Sequence, residues 1–157
     1  MSSLLLRRGR LVSAPETTVD VAIAEGLITA IGPNLEVAAE HTLDLNGQLV
    51  SPPFVESHIH LDSALTAGQP RWNQSGTLFE GIEIWRERKQ SLTLADIEER
   101  AIAALKMQAQ QGVLFVRSHA DVSHPTQMPL KALLSVREAV KDWITLQVVA
   151  FPQDGVY

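Results

Sequence analysis

The chain has 157 residues, of which 45% are hydrophobic, and its 18 acidic and 13 basic side chains give a net charge of −5. This composition supports a packed core and argues against nucleic acid as a partner, because no basic stripe is available to neutralise phosphates. The absence of cysteine excludes disulfides, thiolate metal ligands and a cysteine nucleophile. No apolar stretch approaches membrane-spanning length and no signal peptide opens the chain, so we expect a cytoplasmic protein without membrane contact.

The first 51 residues have the pattern of short β-strands separated by tight turns, which predicts a small all-β unit. Glu25 and Gly26 form one turn, and Asn46 with Gly47 is a strong hairpin signal between two apolar segments. His41 is expected to be a surface strand residue. Strands are predicted over residues 4–6, 10–12, 19–23, 27–31, 41–45 and 48–50, with a turn at residues 7–9.

Two histidines end an apolar segment that begins at Phe54. Side chains of a strand alternate between its faces, so His58 and His60 point the same way. Two neutral imidazoles on one face can supply two ligands to a divalent metal ion. A His-x-His pair alone also fits an incidental role. Its position at a strand end, before a long polar loop over residues 63–76, favours a metal-binding role. Parallel α/β folds place their active sites at the carboxyl ends of their strands.

Strands and helices alternate after residue 52. A helix begins at Leu78, capped by Thr77 or Ser75, and its charged run over residues 83–89 is expected to be a solvated face. A second helix is predicted over residues 94–110, from a capping-box pattern at Thr93 to a terminating glycine at Gly112. These segments are typical of an α/β domain.

The rest of the chain continues this alternation. A buried strand over residues 113–121 places Arg117, His119 and Asp121 on one face, and Pro129 suits the first turn of a third helix ending near residue 140. The next strand covers residues 144–151. His124 is expected in an exposed loop. Near-continuous apolar strands between amphipathic helices predict a parallel sheet covered on both faces.

Five segments together resemble the metal-dependent amidohydrolase superfamily and, within it, the bacterial cytosine deaminases. Residues 20–32 (DVAIAEGLITAIG) are similar to the β-sandwich repeat of that superfamily, and residues 53–60 (PFVESHIH) to its first barrel strand. The deaminase branch is indicated by TAGQPRWNQSGTLFEGIE, VRSHADV and VVAFPQDG at residues 66–83, 116–122 and 148–155.

The resemblance implies roles for individual residues. His58 and His60 would be two ligands of one Fe²⁺ or Zn²⁺ ion, whose bound water attacks the amino-bearing carbon of cytosine. Gln153 would hydrogen-bond the amide-like edge of the pyrimidine, although a plain turn residue is the alternative, and Leu78 would line the pocket. His119 and Asp121 would lie at the barrel mouth behind the ligands, or form a satisfied polar pair within the barrel. Asp62 and Glu56 are candidates for orienting the ligand histidines.

The resemblance also implies a fold class and an extent. The implied fold class is α/β. Residues 1–51 would be the N-terminal part of a β-sandwich domain. Residues 52–157 would be the first part of a (β/α)₈ TIM barrel, with room for roughly three of its units. The proton-shuttle carboxylate and the remaining ligands would then lie beyond Tyr157, so we expect no catalytic residue within this chain and no activity from it alone. The complete enzyme would be a homo-oligomer acting on a small pyrimidine or related heterocycle.

Two alternatives stay open. Ring-opening cyclic amidases of the hydantoinase or dihydroorotase type resemble the first barrel strand equally well, but they lack the loop at residues 72–76. A truncated, non-catalytic subunit that buries its strand edges against a partner is the non-enzymatic alternative.

Overall fold

The computed structural model describes residues 3–123 and 125–155, so the loop prediction for His124 lies outside the described residues. The chain divides into two compact units, Met1–Pro52 and Pro53–Tyr157. Among the residues described, no helix combines the length and the apolar character needed to cross a membrane.

The first unit is a five-stranded sheet built around its first strand. The strand order is β3-β2-β1-β4, and β5 also pairs with β1. The strands are β1 (Ser3–Leu11), β2 (Ala14–Ala24), β3 (Leu27–Gly32), β4 (His41–Asp44) and β5 (Leu49–Val50). His41 is exposed on β4, as predicted.

The predicted turn at residues 7–9 is wrong, because β1 runs through it as one strand. The chain forms a bulge there, with a register shift between Leu6 and Gly9 and a positive φ of 53° at Arg8. A Cβ on Gly9 would lie 2.8 Å from the Val50 side chain and 2.9 Å from that of Leu45. The glycine therefore permits close packing of β1 against the side chains of Val50 and Leu45. The sequence suggests a turn instead, because glycine is common in turns.

The predicted hairpin around Asn46 and Gly47 is also wrong. Both residues adopt positive φ, as a tight turn requires, but the segments on either side pair in parallel with β1 and not with each other. The main-chain N–H of Gly47 donates to the carbonyl of Arg8 at 2.9 Å. The turn thus lies opposite the bulge of β1, and β4 and β5 pair with the same edge of β1 on either side of this bulge.

The second unit has three parallel strands in the order β6-β7-β8, joined through helices. The helix caps agree with the sequence: the hydroxyls of Thr77 and Thr93 accept from the main-chain N–H groups of Glu80 and Asp96. Gly112 has the positive φ of a helix-terminating glycine. The elements are β6 (Phe54–Ile59), α1 (Leu78–Lys89), α2 (Leu94–Gln110), β7 (Val113–Asp121), α3 (Met128–Val140) and β8 (Thr145–Phe151).

The sheet of the second unit is covered on one face, not on both as the apolar runs predict. Helices α2 and α3 pack on one face, where Ile97, Leu105 and Leu133 form a fully buried core with Val116 and Leu146. The opposite face of the described sheet carries side chains such as Val55, which is 67% exposed. Right-handed crossovers between consecutive parallel strands place their helices on the same side, which explains the difference.

Candidate active site

The two histidines of the sequence motif meet at the carboxyl end of β6. The centroids of the His58 and His60 rings are 5.4 Å apart. The register of β6 against β7 shifts between Glu56 and Ile59, and the main-chain N–H of His58 donates to the Glu56 carboxylate at 2.9 Å. Glu56 therefore holds the main chain of the motif, whereas the prediction has it orienting an imidazole.

His119 joins this pair from β7, the next strand. Its ring stacks on that of His58 with centroids 4.0 Å apart and lies 5.7 Å from that of His60. Among the described residues, the buried Nδ1 atom of His119 has no hydrogen-bond partner. Burial lowers the pKa of His119, and the neighbouring charges of His58 and His60 lower it further. Its imidazole is thus kept neutral, the form that can accept a hydrogen bond or bind a metal.

A buried carboxylate, that of Asp62, lies beside His60. Oδ1 of Asp62 is 3.9 Å from Nδ1 of His60, and Oδ2 of Asp62 accepts from the main-chain N–H of Asp121 at 2.8 Å. Burial raises the pKa of Asp62, and the hydrogen bond from Asp121 opposes this without reversing it. Asp62 is thus fixed beside His60 by the end of β7.

A cavity of about 650 Å³ opens beside His60. The loop over residues 63–77 and helix α1 form one wall, and the segment after β8 forms another. The cavity brings together five residues singled out in the sequence: His60, Asp62, Leu78, Asp121 and Gln153. His58 and His119 do not line the cavity. Their rings lie next to the ring of His60, which does.

Sequence reasoning misses two residues that line this cavity, Arg71 and Trp85, and one that contacts a lining residue, Lys89. Arg71 pairs with Glu80 at 2.8 Å, and Trp85 donates from Nε1 to Asp121 at 3.4 Å. Lys89, predicted to be solvated, is only 8% exposed and contacts Asp121. The available signal is helical spacing, because Lys89 follows Ile82 and Trp85 along the inner stripe of α1.

The family of the chain follows from comparison with known proteins. The profile of the amidohydrolase family matches residues 41–157, which include both histidines of the motif. The chain therefore belongs to the amidohydrolase family, and its mixed α/β architecture matches that of its structural neighbours in this family.

Particular relatives include deaminases. The solved structure of 5-methylcytosine deaminase from Klebsiella pneumoniae, liganded with 5-fluorocytosine, is 44% identical with a TM-score of 0.89, over 97% of this chain and 37% of that one. N-isopropylammelide isopropyl amidohydrolase of Pseudomonas sp. (strain ADP) is 31% identical over 98% of this chain and 39% of the relative. Pterin deaminase of Rhizobium rhizogenes is 32% identical over 86% of this chain and 32% of the relative. The chain thus spans less than two fifths of the length of each.

The amidohydrolase superfamily is generally metal-dependent, and the residues present fit part of a metal site. His58 and His60 place two imidazoles together, and the neutral, unpaired Nδ1 of His119 lies beside them. Within residues 3–123 and 125–155, no group of three or more histidine, cysteine or acidic side chains has the arrangement of a complete metal site. Two imidazoles fit two positions of a metal site, and such a site needs further ligands to be complete.

Proposed function

We propose that this chain forms the first part of a metal-dependent hydrolytic deaminase that acts on cytosine or a similar amino-substituted heterocycle. The observation that carries this proposal is the His58–His60 pair beside a cavity of about 650 Å³ that Leu78 and Gln153 also line. A cavity of this size suits a small heterocycle. The similarity to a 5-methylcytosine deaminase over 97% of the chain supports a pyrimidine as the substrate.

The proposal includes the architecture of the complete protein. Residues 1–51 are the N-terminal part of a β-sandwich, and residues 52–157 are the first three units of a (β/α)₈ barrel. The consecutive order β6-β7-β8 and the helices on one face support this interpretation. The exposed face around Val55 and Phe115 then faces the barrel interior, where further strands cover it.

His58 and His60 are proposed to hold one Fe²⁺ or Zn²⁺ ion, both of which accept imidazole ligands. When bound, the ion acidifies a water molecule so that hydroxide is available near neutral pH. Asp62, held by the N–H of Asp121, restrains the ring of His60, and His119 restrains that of His58 by stacking. These contacts support a role for His119 and Asp121 in orienting the ligands.

Gln153 and Leu78 are proposed to bind the substrate ring. A carboxamide offers both a donor and an acceptor, which matches the neighbouring carbonyl and N–H groups of a pyrimidine. Hydrolytic deamination would place a hydroxyl group on the ring carbon that bears the amino group, and the carbon–nitrogen bond would break once the nitrogen had gained a proton. Ammonia would then leave. We place the carboxylate that moves this proton outside the present chain, so residues 1–157 alone are expected to be inactive.

The decisive assay follows two products. The purified protein, with Zn²⁺ or Fe²⁺ added, is incubated separately with cytosine and with a cyclic amide such as dihydroorotate. The complete enzyme is expected to release ammonia from cytosine and to leave the amide ring closed. Ring opening without ammonia release would support the cyclic amidase alternative and overturn the deaminase proposal.

Two variants separate the motif from the other histidines. His60→Ala is expected to abolish turnover and metal retention, whereas His41→Ala, at an exposed position of β4, should leave both unchanged. Size-exclusion chromatography tests the alternative of a non-catalytic subunit and the proposed homo-oligomer. A stable monomer of 17.2 kDa without any partner counts against the subunit alternative, and a complete enzyme that elutes as a monomer counts against the homo-oligomer.

A further inference from the structure

Lys89, the last residue of α1, is a buried cation between two carboxylates from distant parts of the chain. Its Nζ atom lies 2.9 Å from Oδ2 of Asp121, at the end of β7, and 2.6 Å from Oδ2 of Asp154, after β8. Asp121 is fully buried, and Asp154 is about three-quarters buried. One ammonium group thus joins α1, the end of β7 and the segment that follows β8.

The charges of this cluster depend on one another. Burial lowers the pKa of Lys89, but hydrogen bonds to Asp154 and Asp121 outweigh it, so that the pKa is raised. Burial likewise raises the pKa of Asp121, and the hydrogen bonds from Lys89 and Ser123 reverse this into a net decrease. Lys89 and Asp121 are therefore both charged at neutral pH. Removing one partner would leave a buried charge uncompensated, which is far more damaging than losing an exposed ion pair.

Asp154 is fixed from several directions at once. Besides Lys89, its carboxylate lies 3.6 Å from the guanidinium of Arg86, also on α1. Its main-chain N–H donates to the hydroxyl of Ser123 at 2.8 Å. The backbone at residue 154 is thus tied both to α1 and to the loop after β7.

The residue next to this anchor is Gln153, which lines the cavity. Leu78, at the opposite end of α1 from Lys89, lines the same cavity. The two proposed substrate contacts are therefore linked through one helix and one ammonium group. A shift of the segment after β8 would move the Gln153 carboxamide relative to Leu78.

We propose that Lys89 is a positioning residue, which aligns Gln153 for the substrate by anchoring Asp154 to α1 and β7. This inference rests on the proposed function, because it takes Gln153 as a substrate contact. Lys89 itself is not expected to touch the substrate, since its ammonium group is taken up by Asp121 and Asp154.

The experiment compares four variants of the complete enzyme with the wild type. Lys89→Met keeps the apolar stem and removes the charge. Asp154→Asn removes the negative charge that faces Lys89 and Arg86 and leaves Lys89 paired with Asp121, so it remains informative where Lys89→Met fails to fold. The double variant tests whether the two residues act together. Lys106→Met, on an exposed position of α2, is the matched control.

Hydrogen exchange of the segment over residues 150–155 supplies a readout that needs no turnover. In Lys89→Met and Asp154→Asn, this segment should exchange at least roughly tenfold faster, while α2 and α3 keep their protection, because only the local anchor is lost. In the steady-state assay with cytosine, both variants should raise KM by roughly 10- to 100-fold and change kcat far less. The double variant should resemble Lys89→Met alone.

Unchanged hydrogen exchange of residues 150–155 in Lys89→Met would overturn the proposal that Lys89 anchors Asp154. Increases in KM that multiply in the double variant would overturn it as well, because the two residues would then act independently. A fall in kcat with an unchanged KM would overturn the positioning of Gln153. Failure of the proposed function has a different signature, because the wild-type enzyme would then release no ammonia from cytosine while hydrogen exchange still reported on the anchor.

Discussion

The imidazole of His119 stacks on that of His58, with ring centroids 4.0 Å apart and planes inclined by 21°. The two residues come from neighbouring parallel strands, so the contact joins the carboxyl ends of β6 and β7. His60 takes no part in this stack, since its ring is tilted by 38° to that of His119 at 5.7 Å. The first proposed ligand is therefore restrained by a ring, whereas the second faces the carboxylate of Asp62.

This stack gives a prediction for metal affinity. His119→Ala should weaken Zn²⁺ binding by roughly 10- to 100-fold, as loss of a residue that orients a ligand typically does. His119→Phe keeps an aromatic face against His58 and should retain most of the affinity. Titration calorimetry with Zn²⁺ on the complete enzyme measures both. Equal losses in the two variants would show that His119 binds the metal itself, because phenylalanine offers no nitrogen.

A pair of glycines tests the loop beside the cavity. Gly68 and Gly76 both have positive φ, but a Cβ on Gly68 would lie 2.9 Å from the indole of Trp72, whereas one on Gly76 meets nothing within 4 Å. Both alanine variants incur backbone strain of about 1 kcal/mol or more. Gly68→Ala should lose more stability and also weaken cytosine binding, because Trp72 lines the cavity. Urea denaturation and calorimetry give the two values, and equal losses in the two variants would exclude a role for the Trp72 contact.

Acid titration tests the start of α1. Hydrogen bonds from the hydroxyl and the N–H of Ser75 are the main causes that lower the pKa of Glu80 from 4.5 to about 2. Because the folded form binds protons less readily, Glu80 stabilises the fold above pH 4.5, and this contribution disappears as the pH falls through about 2. Glu80→Gln should therefore have a lower Tm than the wild type at neutral pH, with a gap that closes on acidification.

The control for this titration is Glu83→Gln, an exposed position on the same helix. Its Tm at neutral pH should match that of the wild type, as expected for an exposed substitution. A Glu80→Gln gap that stays constant down to the lowest pH would contradict the ionised hydrogen-bond cluster at the start of α1.

Adjacent leucines of α3 test the core of the second unit. Leu133 is fully buried, whereas Leu134 is 37% exposed. Leu133→Ala should reduce the free energy of unfolding by about 2–5 kcal/mol, through lost burial and the cavity left behind. Leu134→Ala should cost less than about 1 kcal/mol. Urea denaturation measures both, and similar losses would contradict the packing of α3 on the sheet.

Local signals in the sequence predict the second unit well. Helix α2 begins at Leu94 after the Thr93 cap and ends at Gln110 before Gly112, as predicted. The spacing of His58 and His60 places their rings together, and five of the singled-out residues share one cavity. Caps, glycines and strand alternation act within a few residues, which is why one sequence suffices to find them.

The errors concern contacts between distant segments. Gly9 is conspicuous in the sequence, but its neighbours Leu45 and Val50 are visible only once β4 and β5 pair with β1. Lysine is a residue type usually found at the surface, and only the positions of Asp121 and Asp154 make the burial of Lys89 favourable. Local propensity does not encode these partners, so charge and turn preferences misassign both positions.

The central place of β1 has a consequence for biosynthesis. β1 is the first of these strands to leave the ribosome, yet β4 and β5 pair with its second edge only after residues up to Val50 have emerged. Until then, the main-chain groups along this edge of β1 are exposed to solvent or to other nascent chains. Trimming residues 3–7 from β1, for example when a fusion tag is cleaved, would remove every partner of β4 and part of the pairing with β2.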